Sequence, residues 1–308
     1  MSTRLRRITA RRGSTTKPRI GITIGDCAGI GPEIIELALK SGHIPSSIAY
    51  VVLGRRPDCK PGVPSSETAR AAAAVLEEAV TLARRGELDA IVTGPVHKAR
   101  MYEVGFRFPG QTEFFADRFG TKNFAMCLTG GELTVALVTA HIPLSKVPRA
   151  LKQSEIVRVG LLLAEFLRSR GKNAPRVAVA GLNPHAGESG KLGVEEIKVI
   201  TPSVEELNRS PTTDRRSLFS GPISPDTVFN RAIEGEFDAV LCMYHDQGLI
   251  PLKLHAFHSG VNVTLGLPFP RTSPDHGTAF EIAGKGIARP DSMIAAINLA
   301  VELAEKSS

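Results

Sequence analysis

Three histidines stand where chemistry could be done. ELTVALVTA runs into His141, RVAVAGLNP into His185 and FDAVLCMY into His245. Each apolar run reads as a buried strand. Each histidine has polar or turn-forming neighbours: His141-Ile142-Pro143, Asn183-Pro184-His185 and His245-Asp246-Gln247. In open α/β sheets ligands bind outside the carboxyl ends of the strands, so residues 44 and 60 positions apart can converge there. Three imidazoles around one open position make a divalent-metal site of catalytic type. A single histidine at a strand end is ordinarily a hydrogen-bonded structural residue; three in equivalent places bring the metal reading level with that one. His43, His255 and His258 read as surface or loop residues.

Other strand ends are polar as well. RIGITIG runs into Asp26, LDAIVTGPV into His97-Lys98, and VNVTLGLPF into Pro270-Arg271-Thr272, while Lys253 and Asn262 flank the loop before that last strand. Lys and Arg there suit an anionic substrate, because Arg grips phosphate or carboxylate with two parallel bonds. Taken singly, each is more often a surface charge. GDCAGIGPE opens a helix with Pro32 near its start and reads as a tight structural turn. It could hold an anion at the helix N-terminus, but it is neither a dinucleotide fingerprint nor a Walker loop.

The elements that position these residues alternate. Strand-like runs RIGITIG, SIAYVVLG, LDAIVTG, FAMCLTG, ELTVALVTA, RVAVAGL, FDAVLCM and VNVTLG are separated by helical stretches over Gly31–Lys40, Glu67–Arg85, Lys152–Arg170, Val194–Asn208 and Asp291–Lys306. Continuous apolar strands between amphipathic helices predict a mostly parallel sheet covered on both faces. FAMCLTGGELTVALV reads instead as an antiparallel hairpin, which makes the sheet mixed.

A chain of 308 residues, 42% hydrophobic, is long enough for two domains. No apolar run approaches the roughly 20 residues of a membrane helix, and no leader precedes the first strand. Cys27, Cys59, Cys127 and Cys242 show no short spacing, so no disulfide framework is expected and a cytoplasmic location fits. The net charge of +7 belongs to the first nineteen residues, which hold six Arg, one Lys and no acid; subtracting it leaves the body near zero. No basic face for nucleic acid is implied. The tail, residues 1–18, is expected to be disordered.

Read together, GITIGDCAGIGPEI, TGPVHKARM, PGQTEFFAD, VTAHIPLSKVP, GLNPHAGESGKLGVEE, GPISPDTVF, MYHDQGLIPLK and VNVTLGLPFPRTSPDHGTAFEIAGKG resemble, in order, the 4-hydroxythreonine-4-phosphate dehydrogenase family of pyridoxal phosphate biosynthesis. The segment HGTAFEIAGKGIARP is also similar to the cofactor loop of isocitrate and isopropylmalate dehydrogenases. The resemblance implies two α/β/α domains with mixed, mostly parallel sheets and an active-site cleft, split as residues 19–125 plus 271–308 and residues 126–270, the second holding a homodimer interface. It implies that His141, His185 and His245 bind one divalent metal (zinc, magnesium or cobalt) in a site shared between subunits. It places Gln111, Thr112, Lys253, Asn262 and Arg271 on substrate, Asp226 and Asp246 beside them, and His276 and Gly277 in a loop for NAD or NADP. Lys253 and Asp246 are the candidates for the catalytic base. The implied reaction oxidises 4-phosphohydroxy-L-threonine and decarboxylates the product to 3-amino-2-oxopropyl phosphate. Three departures bear on the substrate: Gln111 stands where the family pattern has His, Cys27 where Pro is usual, and Gly54–Ser66 is short. Gln cannot carry a proton or a positive charge. Threonate or erythronate 4-phosphate, or a dihydrodiol, are therefore alternative substrates. A phosphate acyltransferase-like enzyme and a non-catalytic metal protein are the rivals from other classes.

Overall fold

The structure is a computed structural model that describes residues 17–55, 59–209 and 218–307. Residues 1–16 of the basic tail lie outside the described residues. Two compact units form: one holds the described residues up to Lys122 and from Leu267 onward, the other runs Asn123–Gly266.

The chain enters unit one through β1 (Arg19–Thr23), α1 (Gly31–Lys40), β2 (Ala49–Leu53), α2 (Ser66–Arg84), β3 (Ala90–Thr93), α3 (Lys98–Glu103) and α4 (Gln111–Arg118). It builds unit two from β4 (Ala125–Gly130), β5 (Leu133–Leu137), α5 (Val147–Ala150), α6 (Gln153–Ser169), β6 (Arg176–Ala180), α7 (Thr201–Arg209), β7 (Leu218–Ile223), α8 (Val228–Ile233), β8 (Ala239–Cys242), α9 (His245–Ala256) and β9 (Val261–Leu265). It returns to unit one with β10 (Arg271–Pro274) and α10 (Asp291–Ser307).

Unit one orders its strands β2-β1-β3-β10, all parallel. Unit two orders them β9-β4-β5-β8-β6-β7. There β4 is antiparallel to both β5 and β9, and the rest are parallel. The hairpin expected from TGGEL is present: Gly131 takes φ +55° at its turn, where a side chain would be strained. Helix α2 starts on a reciprocal cap between Ser65 and Thr68 and buries Ala69, Ala72, Leu76, Ala79, Val80 and Ala83 at helical spacing. The core of unit one gathers Leu76, Ile91, Met101, Phe114 and Phe115; that of unit two gathers Leu128, Val135, Ala178, Val240, Leu249 and Leu252. Each of the Leu, Ile, Val, Met and Phe side chains among them contributes about 1.5–3 kcal/mol by leaving water.

Several elements differ from the sequence expectation, the short helices α3, α4, α5 and α8 among them. The helix expected over Val194–Asn208 begins with a π-helical turn, Glu196–Ile200, before α7. Strands β7 and β10 were not expected, and neither was α9. Pro251 lies inside α9 and Gly248 near its start, two residues that disguise a helix.

Candidate active site

In unit two, the loops after β5, β8 and β6 leave three neighbouring parallel strands on one edge. Pairing between β5 and β8 continues past both strands: Val138 donates to the Cys242 carbonyl at 2.9 Å and Thr139 to that of Met243 at 3.2 Å. The Thr139 hydroxyl donates to the same Met243 oxygen at 2.7 Å. His141 follows two residues later. His245 does not end a strand, as its sequence suggested; β8 stops at Cys242 and His245 is the first residue of α9. The two imidazoles lie 5.6 Å apart between ring centroids, tilted by 45°. Asp246 Oδ1 sits 2.7 Å from His245 Nδ1; with the ring proton on Nδ1 donated to that oxygen, Nε2 keeps its lone pair. Gln247 is buried and ties the turn down: its Oε1 accepts from Met243 N and its Nε2 donates to the Gly181 carbonyl, both at 2.6 Å. Its positioning role was hidden in a motif read for histidine and aspartate.

His185 lies on a segment of opposite hand. Residues His185, Ala186, Gly187, Glu188 and Ser189 run at φ values of 51°, 51°, 79°, 42° and 56°. Left-handed backbone costs an L residue roughly 1–2 kcal/mol each, so surrounding contacts must hold this segment. Asp226 has its carboxyl held below the ordinary range, first by the Ser224 hydroxyl at 2.6 Å and further by the charge of His185. Among the described residues no three His, Cys, Asp or Glu side chains gather closely enough within one chain to hold an ion. His141 and His245 are brought together; His185 is not joined to them within the chain.

Lys253 lies in α9, seven residues after Asp246 and so on the same face two turns along. It stands in the last turn of α9, and Asn262, which pairs with Leu128, is the second residue of β9, so the two flank residues 257–260 from within regular elements. Asn262 Oδ1 is buried with no hydrogen-bond partner among the described residues. A buried acceptor left unmet is costly.

In unit one, Arg271 opens β10 opposite Ile91 of β3 and is 2% exposed. Its Nη2 donates to Thr93 Oγ1 at 2.5 Å and to Gln111 Oε1 at 3.1 Å, and its guanidinium lies 5.6 Å from the Phe115 ring centre. Burial pushes the guanidinium down to about 10, which leaves it charged at neutral pH. Gln111 is held at both ends, since its Nε2 donates to the Gly94 carbonyl at 3.1 Å. Thr112 is the next residue in the first turn of α4. In the loop after β10, His276 Nδ1 lies 3.0 Å from the Gly277 carbonyl. His276 Nε2 is buried without a hydrogen-bond partner among the described residues, and Gly277 is exposed. The loop is anchored where Ile30 N donates to the Thr278 carbonyl at 2.9 Å, so the GDCAGIGPE turn serves it as a packing partner.

The donor set fits a divalent ion in part. Two imidazoles at the observed separation can share one ion at the usual nitrogen–zinc distances of about 2.0–2.1 Å, and a third ligand must come from elsewhere. These features define a two-unit α/β protein with its polar groups at the carboxyl edges of parallel strands. Residues 30–300 match the family described as pyridoxal phosphate biosynthetic protein PdxA. A 4-hydroxythreonine-4-phosphate dehydrogenase of Desulfosudis oleivorans is 43% identical over 94% of this chain and 96% of its own length. A D-threonate 4-phosphate dehydrogenase of Pectobacterium atrosepticum is 39% identical over 92% and 99%. The crystal structure of a 4-hydroxythreonine-4-phosphate dehydrogenase from Klebsiella pneumoniae superposes with a TM-score of 0.77 at 37% identity, covering 94% of this chain and all of the other. The chain belongs to the pyridoxal phosphate biosynthetic protein PdxA family.

Proposed function

We propose that this chain is a metal-dependent, NAD(P)-linked dehydrogenase that oxidises and decarboxylates a phosphorylated hydroxy acid, with 4-phosphohydroxy-L-threonine as substrate. The observation that carries this reading is the His141–His245 pair, held just beyond the neighbouring strands β5 and β8, in a chain whose relatives are named as dehydrogenases of 4-phosphates. The secondary hydroxyl loses its proton and the carbon passes a hydride to NAD(P)⁺, giving a ketone β to the carboxylate. That carboxylate leaves as CO₂ and the adjacent carbon takes a proton, giving 3-amino-2-oxopropyl phosphate. A divalent ion held by His141, His245 and His185 would supply Lewis acidity for both stages. Lys253 or Asp246, on one face of α9, accepts the hydroxyl proton. Asn262 Oδ1 offers its unmet acceptor to a donor on the substrate. Arg271 and Thr112 take the phosphate, with Gln111 fixing the guanidinium. The loop with His276 and Gly277 takes the nicotinamide cofactor. The four free cysteines suit a reducing cytoplasm.

The working unit in this reading is a homodimer. Helix α9, which starts at His245, exposes Ile250, Leu254 and, at its cap, Phe257 by 65%, 88% and 69%. Three large apolar side chains on the face of a site-bearing helix call for a cover. A second copy covers them and brings the third imidazole, His185, to the pair. Leu254→Glu is therefore expected to give monomers by light scattering and to lose metal binding with the fold intact, since Leu254 packs on little of its own chain. A dimeric, metal-replete Leu254→Glu protein contradicts this arrangement.

A second reading keeps the chemistry and changes the acid to threonate or erythronate 4-phosphate. Gln111, tethered to Gly94 and Arg271, can bear neither a proton nor a charge toward the substrate. The test is NAD⁺ and NADP⁺ reduction with these three acids and an unphosphorylated dihydrodiol, with and without chelator. Chelator-sensitive reduction with a phosphorylated acid supports the function, and the preferred acid decides between the readings. Faster turnover of the dihydrodiol than of every phosphorylated acid contradicts both.

A further inference from the structure

Glu196 has no part in the reaction proposed above, yet its buried carboxylate lies against the segment that carries His185. The side chain is 2% exposed and opens the π-helical turn Glu196–Ile200, a form that recurs at functional sites. Its Oε1 accepts the backbone N–H groups of Leu182 and Asn183, both at 2.7 Å, and its Oε2 accepts Asn183 Nδ2 at 2.9 Å. Glu195 Oε2 accepts from the same Nδ2 at 2.9 Å, a bond that holds the Glu195 carboxyl below its ordinary range. At the middle of the left-handed segment, a Cβ on Gly187 would come within 2.6 Å of Glu196 Oε2. The entry to the segment and its midpoint thus rest on one side chain.

We infer that Glu196 is the positioning residue of His185: by anchoring Leu182 and Asn183 and packing under Gly187, it fixes the left-handed turn and aims the imidazole. The inference rests on the reading of His185 as a metal ligand. Only a carboxylate meets this demand. Three donors converge on its two oxygens, whereas a glutamine of the same shape must turn its NH₂ toward a donor in a buried place. The competing role is support of the β6 end alone, with no consequence for the ion.

The two roles separate by zinc affinity of the full-length protein, measured by competition with a chromogenic chelator. Glu196→Gln is expected to weaken zinc binding about 10- to 100-fold, the usual effect of removing a support behind a ligand. NAD⁺ binding should be unchanged, and amide exchange at residues 182–188 should quicken. His185→Ala is the reference. If it loses zinc while Glu196→Gln binds within about twofold of wild type, the positioning role is overturned and the metal reading stands. If His185→Ala binds zinc like wild type, the metal reading falls and this inference with it. Should Glu196→Gln fail to fold, the half-buried neighbour decides: Glu195→Gln with weakened zinc binding and faster exchange supports the inference, and Glu195→Gln indistinguishable from wild type overturns it.

Discussion

His245→Ala is expected to lose its metal and about three orders of magnitude in kcat/KM. A Lewis acid is worth several kcal/mol at a developing alkoxide or enolate, and each 1.36 kcal/mol is tenfold in rate, so on the order of 10³ follows. The fold should survive, because His245 is the first residue of α9 and its ring hydrogen-bonds only to Asp246 among the bonds described. Metal content per chain, the melting temperature and steady-state kinetics measure the three parts. His43→Ala, at an exposed histidine far along the sequence from the strand ends, should match wild type. Full metal occupancy in His245→Ala, with kcat/KM within a few-fold of wild type, contradicts the assignment.

Arg271→Lys is expected to raise KM for the phosphorylated substrate by roughly 10- to 150-fold, the loss of one charge-assisted bond at about 1.5–3 kcal/mol. Charge is kept, but geometry is not. The guanidinium reaches Thr93 and Gln111 together and lies near Phe115; an ammonium is a point charge on a flexible stem. Arg271 is buried, so some loss of stability is expected too. Cofactor affinity separates the effects: a local loss leaves NAD⁺ binding intact, whereas damage to the whole unit lowers both. An Arg271→Lys enzyme with unchanged KM shows that the phosphate is held elsewhere.

Much of this was legible in the sequence, for reasons tied to particular residues. RIGITIG, LDAIVTG and RVAVAGL are buried on both faces and so read as continuous apolar runs. The hairpin announced itself through adjacent glycines at Gly130 and Gly131. What failed to show were elements whose residues contradict their state. Strand β10 reads RTSP, with no large apolar side chain, yet all four residues are buried. Strand β7 contains Gly221-Pro222, and α9 contains Gly248 and Pro251. In each case tertiary contacts override local preference. The left-handed turn was hidden as well, because His185, Ala186, Glu188 and Ser189 give no sign of positive φ. The histidines were visible as residue types at strand ends. That His245 begins a helix, and that Gln247 and Glu196 brace the loops, depends on contacts between segments far apart in sequence.

The central claim is tested most directly by counting products in one reaction. Metal-loaded enzyme is given 4-phosphohydroxy-L-threonine or D-threonate 4-phosphate with NAD(P)⁺, and reduced cofactor and released CO₂ are measured together. The account predicts equal amounts of the two with at least one of these acids, loss of both after chelation, and recovery of both when zinc is returned. Full product formation in thoroughly chelated enzyme, or no reduced cofactor with either acid under any metal loading, would contradict it.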